Sequence, residues 1–398
     1  MRKDNGVRDT GNGRPERSPL QADGIFVGAT VPGRPRVSPK SYRAAVIFAV
    51  FVVPLFLYCI YPVYDGEMDI EEQQSVWQYL NVFTIYQDRL PDECGDKTPS
   101  QLFDIIDDTL RGGRYTGYMR KQRGGAEAGV SASQANSDRW LKITDSTAYI
   151  RISEFSEAAL ENFNDCRKEL ERFPNIVIDL RDNGGGLLHV TDSIVGEFIP
   201  YNTGFIQTRY RDYDRRNHSG KTVDWTDRKS AKRNPMLLDK NISVIINGGS
   251  ASASEILASA LKDRANANLI ALQDTLSYGK GIGQVTIPRV GRDMLIITFM
   301  QIKGASDRTG DYHRKGIVPD TIPDILRSEA QDSCLVEIDE ARRVIAQTLY
   351  CAVKTLEKSA PSNKIKEAAE IVERERALRK VPAGPVGLYV VTEPDPLK

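Results

Sequence analysis

The apolar positions of this chain change their spacing several times, and each change marks a different element. Residues 67–90 and 99–111 carry apolar stripes at helical spacing: Val76, Leu80, Phe83 and Ile85, then Leu102, Ile105, Ile106 and Leu110. The proline-bounded stretch 91–99 separates them. From Thr147 onward short apolar runs dominate. Ala148–Ile152, Ile176–Leu180, Phe205–Tyr210, Ile242–Ile246, Leu269–Leu272, Gln284–Ile287 and Met294–Phe299 read as strands. Glu157–Phe173, Leu187–Phe198 and Ser254–Asp263 read as the helices between them. This alternation predicts an α/β layer arrangement with some parallel pairing. The run Ile176 to Leu180 is apolar at nearly every position, as a strand buried on both faces should be. Helical periodicity returns over 329–358, through Leu335, Ile338, Ala341, Ile345, Leu349, Ala352 and Leu356.

These patterns divide the chain. Residues 65–118 form a helical N-terminal region, 119–145 a Gly-, Ala- and Ser-rich linker, and 146–326 a dense core. Residues 327–360 form a long packing helix, and 361–398 a charged helix and tail. The charged insert 211–234 reads as a solvated loop, with contact to acidic substrate or lipid headgroups as the alternative. No internal repeat is evident.

The segment before the N-terminal region is of another kind. Ala44 to Tyr64 runs 21 residues without a charge, and about 1.5 Å per residue is enough for a hydrocarbon core of roughly 30 Å. Arg36, Lys40 and Arg43 precede it, and Asp65, Glu67, Asp69, Glu71 and Glu72 follow it. That asymmetry predicts a single transmembrane helix with its N-terminus in the cytoplasm and the remaining chain on the periplasmic side. A cleaved signal peptide is the alternative. It would have a shorter apolar stretch and a small-residue cleavage site, whereas this run ends in Ile60, Tyr61, Val63 and Tyr64. Residues 1–43 hold nine basic and four acidic side chains and too few apolar ones for a core, so they read as a disordered basic cytoplasmic tail.

Over the whole chain Lys plus Arg equals Asp plus Glu, 54 each, so net charge gives no reason to expect nucleic acid. The five cysteines, Cys59, Cys94, Cys166, Cys334 and Cys351, form no CxxC pair, and no histidine–cysteine cluster suggests a metal site. In an exported domain a disulfide between two of the last four is possible, and the sequence does not choose the pair.

Three segments carry candidate chemistry. Asp179-Leu180-Arg181-Asp182-Asn183-Gly184-Gly185-Gly186 ends the buried strand, and its glycine N–H groups suit an oxyanion or a phosphate. Asn247-Gly248-Gly249-Ser250-Ala251-Ser252-Ala253-Ser254-Glu255 lies between a strand and a helix, on a turn that aims a hydroxyl outward at a helix start. Tyr278-Gly279-Lys280-Gly281 with Gln284 is a glycine-flanked lysine loop without Walker A spacing. Serine with lysine suggests a hydrolase whose general base is an amine. The residues alone do not choose among Ser250, Ser252 and Ser254, and capping the helix is the alternative role for each. A Ser-His-Asp triad is the rival, and of His189, His218 and His313 only His189 lies near a candidate segment.

Taken in order, these motifs resemble the C-terminal processing (tail-specific) peptidase family of serine proteases. Tyr149-Ile150-Arg151-Ile152-Ser153-Glu154-Phe155 resembles its opening strand, and Gly316-Ile317-Val318-Pro319-Asp320 its closing motif. The likeness covers about 146–326. It implies a crotonase-like (ClpP/crotonase-type) protease core, with Ser252 as nucleophile, Lys280 as general base and Gln284 positioning it. It also implies Gly186 and Ala253 as backbone donors of the oxyanion hole. No metal or organic cofactor is implied, and the partner is a polypeptide substrate, with an activating protein partner or a homo-oligomer as a further expectation. Two departures stand out. The roughly thirty residues between Tyr118 and Ala148 are too few for the family's PDZ domain. The stretch from Ser252 to Lys280 is longer than the family pattern, which leaves open whether Lys280 is aligned before substrate or a partner binds.

Overall fold

A computed structural model describes residues 70–110, 113–119, 140–214, 219–271, 275–287, 294–322, 340–357 and 361–378. The expected tail 1–43, the expected membrane segment 44–64 and most of the linker lie outside them. Among the described residues no helix is long and apolar enough to cross a membrane.

Helix α1 (Ile70–Phe83) buries Val76 and Leu80 and stops short of its predicted end. There the chain turns: Thr84 N–H closes the last turn on Leu80, and Ile85 N–H donates to Thr298 O at 3.0 Å. Helix α2 (Pro99–Ile106) begins with a reciprocal Thr98–Gln101 capping box and Pro99 in its first turn. Asp107, with φ of 47°, ends it before the predicted 111. The residues that follow instead form short strands, β1 (Thr109–Leu110), β2 (Gly113–Arg114) and β3 (Gly117–Met119).

The core is built from β4 (Trp140–Lys142), β5 (Thr147–Arg151), α3 (Glu157–Leu170), β6 (Asn175–Asp179) and α4 (Leu188–Phe198). It continues with β7 (Gly204–Asp214), β8 (Ser219–Lys229), β9 (Asn241–Ile245), α5 (Ala253–Arg264), β10 (Asn268–Ile270), β11 (Ile282–Ile287) and β12 (Met294–Gly304). Two helices, α6 (Glu340–Lys354) and α7 (Ser362–Leu378), close the described chain. One five-stranded sheet has the order β10-β9-β6-β5-β4, parallel except at β4. Successive side chains of a strand point to opposite faces, and here both faces are covered. Ile150, Ile178 and Val244 pack with α3, α4 and α5, while Tyr149, Val177 and Ile245 pack with α6 and α7. The second sheet, β11-β12-β7-β8 with β3 also on β12, is antiparallel. Through Leu295 and Ile297 it shares a core with α1 and α2.

The charged insert 211–234 is not a loop. Most of it lies in the antiparallel strands β7 and β8, whose backbone ladder is joined by side-chain contacts. Arg209 meets Asp224 at 3.3 Å, Gln207 donates to Asp227 at 3.1 Å, and Arg211 donates to Thr222 at 3.1 Å. Arg211 also donates to the carbonyls of Asn81 and Val82, which ties the hairpin to α1. Among the described residues Cys94, Cys166 and Cys351 are free thiols; Cys59 and Cys334 lie outside them.

Candidate active site

Strands β6 and β9 are parallel neighbours, so the glycine segment and the serine turn leave the sheet side by side at the strands' carboxyl ends. Such a crevice is where open α/β sheets bind ligands. Asn247 joins the two segments. Its Oδ1 accepts from Asp182 N and Gly249 N, both at 2.9 Å, and its Nδ2 donates to Asp182 Oδ1 at 2.8 Å. Asn183 O accepts from Ala251 N at 2.9 Å and from the Ser254 hydroxyl at 2.8 Å.

The three serines of the turn differ in setting. Ser250 is fully buried and donates to Leu180 O at 2.8 Å. Ser254 is fully buried on Asn183 O. Ser252 is half-buried, heads α5, and has φ 56° and ψ −115°, an uncommon backbone conformation for a residue with a side chain. The glycine segment lies against it: a Cβ added to Gly185 would come within 2.7 Å of Ser252 Cβ. Gly186, at φ 146°, has no room for a side chain either, since a Cβ would sit 2.3 Å from Phe155 O. Gly185 N–H is used by Asn183 Oδ1 at 2.8 Å. The N–H groups of Gly186 and Ala253 donate to no acceptor among the described residues. Ala253 opens α5, where the first amides have no intrahelical partner.

Glu255, in the first turn of α5, is fully buried and was not singled out from the sequence. Its Oε2 accepts from Ser252 N at 2.9 Å and Lys280 N at 2.7 Å, and its Oε1 from Gly279 N at 2.7 Å and the Ser277 hydroxyl at 2.5 Å. One carboxylate therefore fixes the backbone of the serine turn to that of the lysine loop. The available signal was the Ser-x-x-Glu spacing of a capping box, here extended to a second segment. Burial raises the Glu255 pKa, and the hydrogen bonds from Ser277, Gly279, Ser252 and Lys280 work against that rise.

The lysine loop has further anchors. Tyr278 N–H donates to Ser250 O at 2.9 Å, and Ile317 N–H to the Ser277 hydroxyl at 2.6 Å. Gly316 of the Gly-Ile-Val-Pro-Asp motif, at φ 84°, passes so close that a Cβ would lie 2.3 Å from Ser277 O. The main chain at Lys280 is thus fixed by contacts within the chain, although residues 272–274 of the long connection lie outside the described residues. Lys280 is buried, and this lowers its pKa from 10.5 to about 8; the nearby Glu255 charge pulls the other way. Its Nζ makes no hydrogen bond among the described residues and lies 5.7 Å from the Tyr115 ring centroid. Gln284 is buried, with Nε2 donating to Tyr115 O at 2.7 Å.

The polar residues of the Asp-Leu-Arg-Asp motif serve the scaffold. Asp179, fully buried, would be pushed up by burial alone, but Arg181 and Arg151 hold it well below the usual carboxylate range. Arg181 donates to Ile345 O of α6 at 3.1 Å. Arg151 meets Glu375 at 2.5 Å and Arg376 meets Asp182 at 2.6 Å, so α7 grips the same strand ends. His189 is exposed and pairs with Glu157 at 2.6 Å. The histidine beside the lysine loop is instead His313, whose Cβ lies 3.0 Å from a Cβ built on Gly281.

Residues 146–322 match the family profile of peptidase family S41. The carboxy-terminal processing protease CtpB of Bacillus subtilis (strain 168) is 34% identical over 176 residues, which are 44% of this chain and 33% of that protein. A carboxy-terminal-processing protease of Bartonella bacilliformis is 35% identical over 154 residues, 37% of this chain and 32% of that protein. A solved photosystem II D1 C-terminal processing protease is 23% identical over 45% of this chain and 42% of its own, with a TM-score of 0.34, too distant to add detail. The chain spans about a third of the length of the two curated relatives. Residues 146–322, a mixed α/β domain, thus match peptidase family S41 and are similar over that stretch to carboxy-terminal processing proteases.

Proposed function

We propose that this chain is a serine endopeptidase that hydrolyses polypeptides with a Ser252/Lys280 dyad on a crotonase-like core. The observation that carries the reading is Glu255: one buried carboxylate takes hydrogen bonds from the backbones of both Ser252 and Lys280. With the Lys280 pKa lowered to about 8, a useful fraction of the amine is neutral near neutral pH. Neutral Lys280 takes the Ser252 hydroxyl proton as Oγ bonds to the scissile carbonyl carbon. The resulting oxyanion is met by the N–H groups of Gly186 and Ala253. As the tetrahedral intermediate collapses, the C–N bond breaks and the Lys280 ammonium returns its proton to the departing amine. Water then releases the acyl group from Ser252 by the same steps, with Lys280 again as base. Gln284 orients the lysine.

In this reading the apolar segment 44–64 anchors the chain in the cytoplasmic membrane, with the protease domain on the periplasmic side acting on exported or membrane-associated proteins. The contrasting reading is a relative that binds extended peptides in the same crevice without cutting them. Cleavage of casein by the purified chain and by Ser252→Ala, with casein binding measured in parallel, separates the two. The protease reading expects cleavage to vanish in the variant while binding persists. Binding without cleavage by the unaltered chain would favour the peptide binder.

A further inference from the structure

We propose that Tyr115, which lies outside the matched family domain, is a positioning residue for Lys280: its carbonyl sets the orientation of the Gln284 amide, and its ring provides the surface beside the ammonium. The inference rests on the Ser252/Lys280 reading for its catalytic meaning, but its geometry stands apart from it.

The backbone on either side of Tyr115 is fixed. Tyr115 N–H donates to Asp108 O at 3.2 Å. The buried Asp108 carboxylate accepts from Thr116 N at 3.0 Å and from the hydroxyls of Thr116 and Thr298, each at 2.6 Å. Thr298 N–H in turn donates to the Thr116 hydroxyl at 3.1 Å. Thr298 is the register partner of Gln284 across β11 and β12, where the register shifts by one residue between Gly283 and Gln284. Residues 117–119 then pair with β12. The N-terminal segment is therefore stitched to the strand beside Gln284.

Two features point from this frame to the lysine. A carbonyl can only accept, so the 2.7 Å contact with Tyr115 O commits the Gln284 NH2 group to that side. Gln284 Oε1 is left buried and without a partner among the described residues. The Tyr115 ring lies in a buried cluster with Ala251, Tyr278 and Ile282, the near sequence neighbours of Ser252 and Lys280. The Lys280 Nζ lies 5.7 Å from the ring centroid, inside the range of a cation–π attraction that favours the charged amine.

The other charged and titratable groups around Lys280 are few. Glu255 lies behind its backbone, and Asp108 behind Thr116. On the segment packed against the loop are Arg314, bonded through its N–H to Gly279 O, and His313. The His313 pKa is lowered by burial and then by Arg314, so it is neutral over the range in which Lys280 titrates. The same segment carries Tyr312 and Lys315, whose backbone N lies 3.1 Å from a Cβ built on Gly279, and Tyr278 precedes the lysine.

The test replaces Tyr115 in the full-length chain by Phe, by ring-fluorinated phenylalanines of nearly unchanged shape, and by Leu. Trace acetylation with acetic anhydride across pH 6–10, read at Lys280 by mass spectrometry, gives the titration midpoint of the amine without any need for peptide cleavage. The midpoint of Tyr115→Phe is expected to match that of the natural chain. It should fall stepwise with fluorination, by about half a pH unit at full weakening of the ring. The acid limb of the pH–kcat/KM profile should move by the same amount. A midpoint that ignores fluorination overturns the role of the ring even if activity changes. A midpoint that moves in a chain that cuts no peptide retains the inference and rejects the protease reading. Should Tyr115→Leu fail to fold, the fluorinated series alone decides.

Discussion

Replacing Lys280 by methionine should make the protein more stable at neutral pH while abolishing activity. The side chain is buried and its stem would be matched in length by Met, so the main change is loss of a charge held out of water. The native amine titrates at about 8 against 10.5 in the unfolded chain. At 1.36 kcal/mol per pH unit, that difference is a penalty of about 3 kcal/mol on the native state whenever the lysine is protonated in both states. Below pH 8 the full penalty applies, and Lys280→Met escapes it. Between about 8 and 10.5 the unfolded chain binds a proton that the native chain has released, so the stability of the natural protein rises with pH and the gap closes. Above 10.5 both lysines are neutral and the gap is gone. Urea unfolding of the two proteins at pH 7, 9 and 10.5 reads this directly, since a changed midpoint with an unchanged slope is a change of stability. A variant no more stable than the natural protein at pH 7, or a gap that stays constant with pH, would refute the claim that Lys280 is a strained, desolvated base.

Other outcomes follow from the same contacts. Glu255→Gln puts an amide donor against two of the four groups that now donate to the carboxylate, and should cost about 3–6 kcal/mol in unfolding experiments together with most activity. Gly186→Ala forces a methyl to 2.3 Å from Phe155 O and displaces the proposed oxyanion donor; kcat should fall by about a hundredfold with KM little changed in steady-state assays. Arg181→Ala leaves Asp179 buried without its closest cation and should cost about 3–5 kcal/mol in a melt or urea titration, whereas Arg376→Ala, which breaks a half-exposed pair with Asp182, should cost less than about 1 kcal/mol.

The strand-and-helix alternation of the core was legible because both sheet faces are covered. Fully buried strands such as β6 read as continuous apolar runs, and the amphipathic helices between them keep their stripes. The β7–β8 hairpin was obscured because its charges dominate the composition, although Thr222, Val223, Trp225 and Thr226 are strand formers. What holds the two segments as strands is their antiparallel backbone pairing, which requires knowing the partner strand. Strands β1 to β3 were missed for a similar reason: they are two or three residues long and depend on pairing with each other or with β12.

In the candidate site the sequence supplied residue types and order. Choosing Ser252 over Ser250 and Ser254 from the residues alone required burial and hydroxyl partners, which only the fold provides. Glu255 and Asn247 escaped notice because their partners lie 25 and 65 residues away. Tyr115 acts on Gln284 from 169 residues away, a separation at which one chain offers no periodic signal.

The central claim is that Ser252 is a nucleophile activated by a lysine titrating near 8. Reaction of the full chain with a fluorophosphonate, followed across pH 6–10 and mapped by mass spectrometry, tests it most directly. The account predicts one adduct, on Ser252, forming at a rate that rises with pH through a midpoint near 8 and disappearing in Lys280→Ala. An adduct on another residue, or one on Ser252 that forms equally well without Lys280, would contradict it.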